Sequence, residues 1–232
     1  MIPRKRFWQA ATVGPQHSVL LDGKALPTPA GAALQVPTKA LAEAIAGEWQ
    51  AQGDQIEPHT LPLYQLAVTA LDKVALTVQS VADETARYAG SDLLCYRAAE
   101  PADLVAQQQA VWQPLLDWLA LHYDAPLVVT TGIMPVAQPP HALAALARAV
   151  GALDLWRLTA LAFATATAGS LTIGLALKDR RIDVDQAFEA AELDASYEIA
   201  RWGEDDEATA RRARVRLDLF AARRLLDLLE TG

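Results

Sequence analysis

Residues 158–177 are the stretch that most limits what this chain can fold into. They form a run of twenty residues without a charge or a proline, between Arg157 and the charged segment 178–181. A helix of roughly 20 apolar residues is long enough to cross a bilayer. However, five of the twenty are Thr or Ser and six are Ala, and such side chains gain little on transfer from water to lipid. We therefore predict the buried centre of a helical domain, with a break between two short helices at Gly169 and Ser170; a membrane-spanning helix is the alternative.

The overall charge and the single cysteine argue against several classes of function. With a net charge of −8 over 232 residues, the chain is not expected to bind nucleic acid or anionic lipid, because both attract basic proteins. Cys95 is the only cysteine, so no intramolecular disulfide can form and a reducing compartment is expected. The basic start, MIPRKRFW, is not followed by an apolar segment, and we therefore expect no secretory signal.

Residues 1–60 have the pattern of a small β-rich domain. Asp22 and Gly23 separate two short apolar runs and predict a type I′ hairpin turn, because both residues tolerate the positive φ angles that this turn requires. Thr38 is the expected N-cap of a helix near 38–53, which Gly53 would end. The predicted strands are 7–13, 18–21, 24–26 and 34–36.

Residues 61–232 are predicted to form a larger, all-helical domain, so the expected fold class is α+β. Apolar residues recur in this part at helical spacing. Pro101 opens a long helix that Pro114 is expected to kink or interrupt, and Leu127–Thr130 has the pattern of a strand. The predicted helices cover 63–74, 77–88, a long segment from 101, 141–150, 154–168, 170–178, 184–202 and 205–229.

The sequence carries no motif of a common enzyme or cofactor site. It lacks a phosphate-binding loop, a glycine-rich dinucleotide motif and a nucleophile elbow, and its four histidines and Cys95 do not have the spacing of metal ligands. We therefore expect no catalysis, no cofactor and no bound metal. The alternative is a small-molecule enzyme with a site between the two domains, for which the candidates are Asp72, Arg87, His122 and Glu192.

The densest cluster of charge is the acidic segment 204–207. Carboxylates in the first turn of a helix interact favourably with the helix dipole, so this segment is expected to begin the last helix. Contact with a partner is the second interpretation. A magnesium site is the third, although the spacing matches no known metal-binding loop. The candidate residues within the segment are Glu204, Asp206 and Glu207.

The preceding segment, 184–202, gives a more specific pattern when it is treated as one helix. Glu192 lies at the edge of an apolar stripe, where a carboxylate either pairs with an arginine or meets one from a partner, and Tyr197 lies on the opposite face. Gly203 is suited to the left-handed position that follows a helix. The stripe consists of Phe188, Ala191, Ala195, Ile199 and Trp202.

This segment contains Leu193, Tyr197, Ile199 and Trp202-Gly203, followed by acidic residues. In these residues it resembles the C-terminal signature of the ATP synthase F₁ assembly chaperones, which hold the free α subunit. The N-terminal half agrees with that family in order and spacing, and the resemblance covers nearly the whole chain. The matching segments are Arg6-Phe7-Trp8, Leu21–Lys24, Leu26–Pro29, Val36–Thr38, Leu41-Ala42, Ile45-Ala46, Glu48-Trp49, Gln52-Gly53, Ile56, Pro62-Leu63 and Ala70–Asp72.

The resemblance implies a small β-rich domain followed by a helical one, and a function without catalysis: binding the free α subunit until it pairs with β. It also implies a monomer when free and, because organellar relatives carry targeting extensions that this chain lacks, the bacterial cytoplasm. By register, Asp206 and Glu207 are the closest matches to the family's important acidic residue. The expected partner-binding residues are Glu192, Asp194, Tyr197, Trp202, Glu204, Asp206 and Glu207.

Overall fold

A computed structural model describes residues 5–132 and 134–230, so the first four residues of the basic start lie outside the described part. The chain divides into two compact units. Of the described residues, the first contains 5–78, Leu155–Ala160 and 224–230. The second contains Gln79–Asp154 and Leu161–Arg223. The sequence-based division at residue 60 stays a prediction.

A three-stranded antiparallel sheet forms part of the first unit, with strands β1 (Ala11–Val13), β2 (Val19–Leu21) and β3 (Lys24–Ala25). The predicted hairpin turn is confirmed, since Asp22 and Gly23 have φ angles of 48° and 77°.

Two of the predicted strands are wrong in extent. The strand predicted over 7–13 is shorter because the backbone N–H groups of Gln9 and Ala10 donate to the Asp22 carboxylate at 2.9–3.1 Å, not to a neighbouring strand. The strand predicted over 34–36 is replaced by isolated bridges. Leu34 accepts from Val19 N–H and donates to Leu26 C=O, so its two backbone groups pair with different segments.

Two helices complete most of the first unit, α1 (Lys39–Gln50) and α2 (Pro62–Asp72). Thr38 is the N-cap of α1, as predicted: its hydroxyl oxygen accepts from Leu41 N–H at 3.2 Å and its O–H donates to Leu228 C=O at 2.7 Å. At the start of α2, the Glu48 carboxylate accepts from Leu63 and Tyr64 N–H. These contacts satisfy backbone groups that a helix end leaves unpaired.

The second unit is predominantly helical, and the predicted α+β class is confirmed. Its strands β4 (Tyr96–Arg97) and β5 (Thr130–Thr131) pair in parallel as a two-residue ladder. Helices α6 (Leu155–Ala168) and α10 (Asp206–Glu230) contribute residues to both units. In chain order the elements are α3 (Val78–Arg87), β4 (Tyr96–Arg97), α4 (Ala102–Tyr123), β5 (Thr130–Thr131), α5 (Pro140–Gly151), α6 (Leu155–Ala168), α7 (Leu171–Lys178), α8 (Val184–Ala191), α9 (Leu193–Trp202) and α10 (Asp206–Glu230).

Two local predictions for the second unit need correction. Of the two effects predicted for Pro114, the interruption is wrong, because helix α4 continues through this residue, and the kink stays a prediction. The strand predicted at Leu127–Thr130 is reduced to β5, because the side-chain amide of Gln138 bonds both the N–H and the C=O of Val128, at 2.7 and 2.9 Å. A side chain thus occupies the backbone groups that a longer strand would present to its neighbour.

The apolar stretch 158–177 breaks where the sequence predicted. Gly169 has a φ of 66°, and Ser170 caps α7 by accepting from Ile173 N–H at 3.1 Å. Residues 171–177 are all buried. Within residues 5–132 and 134–230, no helix has both the length and the apolar character needed to cross a membrane.

The prediction of one helix over 184–202 is wrong. The backbone leaves helical geometry at Glu192, with φ −109° and ψ 18°, which separates α8 from α9. The break shifts the phase of every later residue, so the predicted stripe does not continue into α9. Tyr197, placed on the face opposite the stripe, is only 8% exposed, whereas Trp202, expected on the inner face, is 77% exposed. Gly203 has a positive φ of 86°, as its predicted role requires.

Candidate functional site

Three of the predicted partner-binding residues lie on one cleft. Asp194, Tyr197 and Trp202 of α9 face residues of α4 and β4 across a space of about 430 Å³. Glu198 lines the same cleft, and the Trp202 indole stands exposed beside it. The cleft therefore combines an exposed aromatic ring with two carboxylates.

Tyr197 is held by a short polar chain to α4. Its hydroxyl donates to Asp103 Oδ1 at 2.7 Å, and Arg201 donates to Asp103 Oδ2 at 2.7 Å. The Arg201 guanidinium also lies 3.9 Å from the centre of the Tyr197 ring. The hydrogen bond from Arg201 is the main reason why the pKa of the Asp103 carboxyl is lowered. These contacts fix the face that α9 presents to the cleft.

The floor of the cleft is a buried polar network. Gln108 is 2% exposed; its amide donates to Asp194 Oδ1 at 2.7 Å and accepts from Ala98 N–H at 2.8 Å. Arg97 donates to Leu94 C=O and Gln108 C=O, at 2.7 and 2.8 Å, and burial lowers the pKa of its guanidinium. The network orients the Asp194 carboxylate before any partner arrives.

Glu192 and Glu204 belong to a different cluster, in which α10 supplies the cations. Arg211 forms a bidentate pair with Glu192, with nitrogen–oxygen distances of 2.8 and 2.6 Å. The hydrogen bond that Arg211 donates to Glu192 is the main reason why the pKa of Arg211 is raised. Arg212 lies 3.3 Å from Glu204 and donates to Ser196 at 3.0 Å. Of the two roles predicted for Glu192, the structure shows pairing with an arginine of the same chain.

Asp206 and Glu207 lie exposed in the first turn of α10. The neighbouring Asp205 caps this helix, because its carboxylate accepts from Ala208 N–H at 2.7 Å. The described residues contain no group of three or more His, Cys, Asp or Glu placed to hold a metal ion. The seven predicted residues thus fall into three places: the cleft, the ion-pair cluster with α10, and the exposed start of α10.

A family model described as ATP12 chaperone protein matches residues 5–120. This chain belongs to the ATP12 family. Membership gives it a chaperone role in ATP synthase assembly.

Three solved structures resemble this ATP12 protein over nearly its whole length. Atp12 from Paracoccus denitrificans is 40% identical, with a TM-score of 0.90 over 97% of this chain and 98% of that one. An aspartate-to-lysine mutant of P. denitrificans Atp12p gives 39% identity and a TM-score of 0.91, with 97% of each chain covered. The Atu1473 protein of Agrobacterium tumefaciens, described as a candidate chaperone, is 37% identical, with a TM-score of 0.93 over 98% of this chain and 87% of that one.

The residues proposed for an enzyme site each have a local partner in this ATP12 structure. Asp72 accepts from Ala30 N–H at 3.0 Å, and Arg87 lies 3.6 Å from Glu84. His122 stacks on Trp118 and lies 3.8 Å from Asp179. Glu192 pairs with Arg211, as described above. These contacts account for the four side chains without a substrate.

Asp92, like Asp103 and Gln108, is a polar residue of the ATP12 fold that sequence reasoning missed. It is fully buried and accepts four hydrogen bonds, from Leu94 N–H, Ser170 Oγ and both the N–H and Oγ1 of Thr172, at 2.7–3.1 Å. Burial raises the pKa of this carboxyl, and the hydrogen bonds partly offset the effect. An acidic residue next to the apolar run 93–95 was the available signal, but three of its four donors lie 78 and 80 positions away.

Cys95 of this ATP12 protein is expected to be unreactive while the chain is folded. It is fully buried, and burial raises the pKa of its thiol from 9.0 to about 12. At pH 8 the thiolate fraction should therefore fall about a thousandfold, and the thiolate is the reactive species. Labelling with a chromogenic disulfide reagent should be undetectable within minutes in buffer and complete in concentrated urea. Rapid labelling of the native protein would contradict this expectation.

Proposed function

We propose that this ATP12 chaperone binds the free α subunit of F₁ and keeps it from aggregating until the α subunit pairs with β. The observation that carries the proposal is the family membership, supported by a fold match over nearly the whole chain. The proposed activity involves no catalysis. We place it in the bacterial cytoplasm, with the chaperone monomeric before it binds.

The proposal has a simple physical basis. An unassembled subunit exposes the apolar surface that its neighbour will later cover, and such a surface promotes aggregation. The cleft offers the exposed Trp202 indole for apolar contact, and Asp194 and Glu198 for basic groups around it. Tryptophan is among the residues that contribute most to protein interfaces. Release requires no nucleotide, because β can compete for the same surface of α.

Co-expression tests the proposal. Production of this chain together with the α subunit of the same organism should raise the soluble fraction of α and yield a complex that co-purifies. The β subunit serves as the control and should gain no solubility from this chain. Unchanged solubility of α together with the absence of a complex would refute α binding.

Variants within this experiment separate binding from folding. Trp202→Ala should weaken the complex by about tenfold or more with an unchanged melting temperature. Asp206→Lys should slow association and lower the melting temperature by at most about 4 °C, because it removes a favourable charge from the first turn of α10. Glu192→Lys should instead lower the free energy of unfolding by about 2 kcal/mol, since it places a cation against Arg211. Asp117→Lys, an exposed reversal on α4, is the control and should change neither property.

A further inference from the structure

Helix α10 carries two apolar stripes, of which only one is covered. Val215, Leu219 and Ala222 recur at intervals of four and three residues and pack in the core of the second unit. Ala213, Leu217 and Phe220 repeat the same spacing on another side of the helix, and all three are exposed. The exposed fractions of Leu217 and Phe220 are 63% and 51%. We call these three residues the outer stripe.

The outer stripe forms one wall of a cleft of about 800 Å³. Val184 of α8 lines the opposite wall. Arg216 bonds Asp185 at 2.6 Å, which ties the two helices together. Asp183 is fixed at the start of α8 by its capping box with Gln186. The cleft is therefore an apolar trough between two connected helices, with charged groups at its edge.

We propose that this cleft binds a basic amphipathic α-helix of an unassembled client. Seven residues of helix span about 10 Å, so the outer stripe offers contacts to about two turns of a helix laid along it. Apolar side chains at i, i+3 or i+4, and i+7 are the usual anchors of a helix bound in a groove. The proposal does not depend on which ATP synthase subunit presents the helix. It therefore goes beyond the proposed binding of the α subunit.

Negative charge on the chain and at the edge of the cleft favours a basic helix as the ligand of this cleft. At the edge of the cleft Asp185 is paired with Arg216, so Asp183 is the lining carboxylate that adds net negative charge there. The chain as a whole has a net charge of −8. Basic residues that flank the apolar face of a client helix would be attracted to this edge. A second copy of this chain would bring a further −8, and the repulsion disfavours a homodimer at this surface.

A synthetic peptide tests the cleft directly. The probe is a fluorescent helical peptide of about 18 residues, long enough to form a helix, with Leu on one face and Lys on the other. We expect the wild-type chain to bind it, and the double variant Leu217→Glu with Phe220→Glu to bind it at least about tenfold more weakly. The matched control is Leu76→Glu with Leu121→Glu, which alters two residues that are 80% and 89% exposed elsewhere and should bind like the wild type.

Four outcomes would overturn the proposal. These are no binding to the wild type, equal binding to the Leu217/Phe220 variant, equal binding of an analogue with Glu in place of Lys, and a wild-type homodimer that this variant abolishes. Unchanged melting temperatures of both double variants exclude unfolding as the cause of any loss. Because the assay contains no α subunit, its failure is distinguishable from a failure of the co-expression experiment.

Discussion

Replacing Asp92 by alanine should lower the free energy of unfolding by about 3–5 kcal/mol, because four buried donors would lose their acceptor at once. The donors come from the 93–95 turn and from the first turn of α7. The carboxylate therefore links the two segments that enclose Leu94 and Ile173 in the same core. Urea unfolding followed by tryptophan fluorescence measures the loss.

Asparagine at this position should not rescue the protein, although it has nearly the same volume. Leu94 N–H points at one carboxylate oxygen and Thr172 N–H at the other, so the amide NH₂ meets a donor in either orientation. We expect a loss of about 2–3 kcal/mol. Asp83→Asn, an exposed change on α3 that keeps an acceptor for Gln79, should stay within about 0.5 kcal/mol. Wild-type stability in Asp92→Asn would contradict this account.

The same carboxyl should also give the wild type a pH dependence that the asparagine variant lacks. Burial raises the pKa of Asp92 above its ordinary value of 3.8, so the folded state holds this proton more tightly than the unfolded state. The contribution to stability is then fully present below the ordinary pKa and is lost as pH rises through the raised value. The stability difference between the wild type and Asp92→Asn should therefore shrink as the pH rises.

Gly174→Ala should destabilise the chain by about 1–3 kcal/mol, even though alanine is the better helix former. A Cβ at this position would lie 2.5 Å from Thr165 Oγ1, 3.2 Å from Leu161 Cδ1 and 3.3 Å from the Thr165 backbone nitrogen. Thr165 is fully buried, and rotation of its side chain cannot relieve the contact with its backbone nitrogen. The close approach of α6 and α7 thus depends on a missing side chain.

Gly47→Ala is the matched control, for which we expect a change of the opposite sign in the free energy of unfolding. Gly47 lies within α1, where a Cβ would meet no atom within 4 Å. The substitution should therefore raise the free energy of unfolding by about 0.5–1 kcal/mol through helix propensity alone. If both substitutions shift the urea midpoint in the same direction, the packing explanation for Gly174 is wrong.

At Gly169, the sequence correctly predicted the break in the apolar stretch, but it could not show how closely other atoms approach each glycine. The break at Gly169 was predictable because a positive φ and an N-cap serine are local features. In the structure a Cβ at Gly169 meets no atom within 4 Å, so the cost of replacing this glycine comes from its φ of 66° and not from crowding. The crowded position is Gly174, whose neighbours only the packed fold identifies.

The difference between local and long-range contacts also explains which other predictions from the sequence are confirmed and which features were missed. The Asp22-Gly23 turn and the Thr38 cap depend on residues a few positions apart, and both predictions are confirmed. The interruption at Glu192 was missed because its carboxylate pairs with Arg211, 19 positions away on another helix. Asp103 and Gln108, which position the cleft, contact α9 from 94 and 86 positions away. No spacing rule within 184–202 contains that information.

Tyr197 is buried and Trp202 is exposed, and this arrangement depends on the number of residues between them. Five residues of helix turn by about 500°, which leaves the two side chains about 140° apart. With Tyr197 anchored to Asp103, deletion of one residue between them would bring the indole to about 40° from the buried tyrosine. The number of residues between Tyr197 and Trp202 is therefore constrained apart from their chemistry, because it sets the direction in which Trp202 faces.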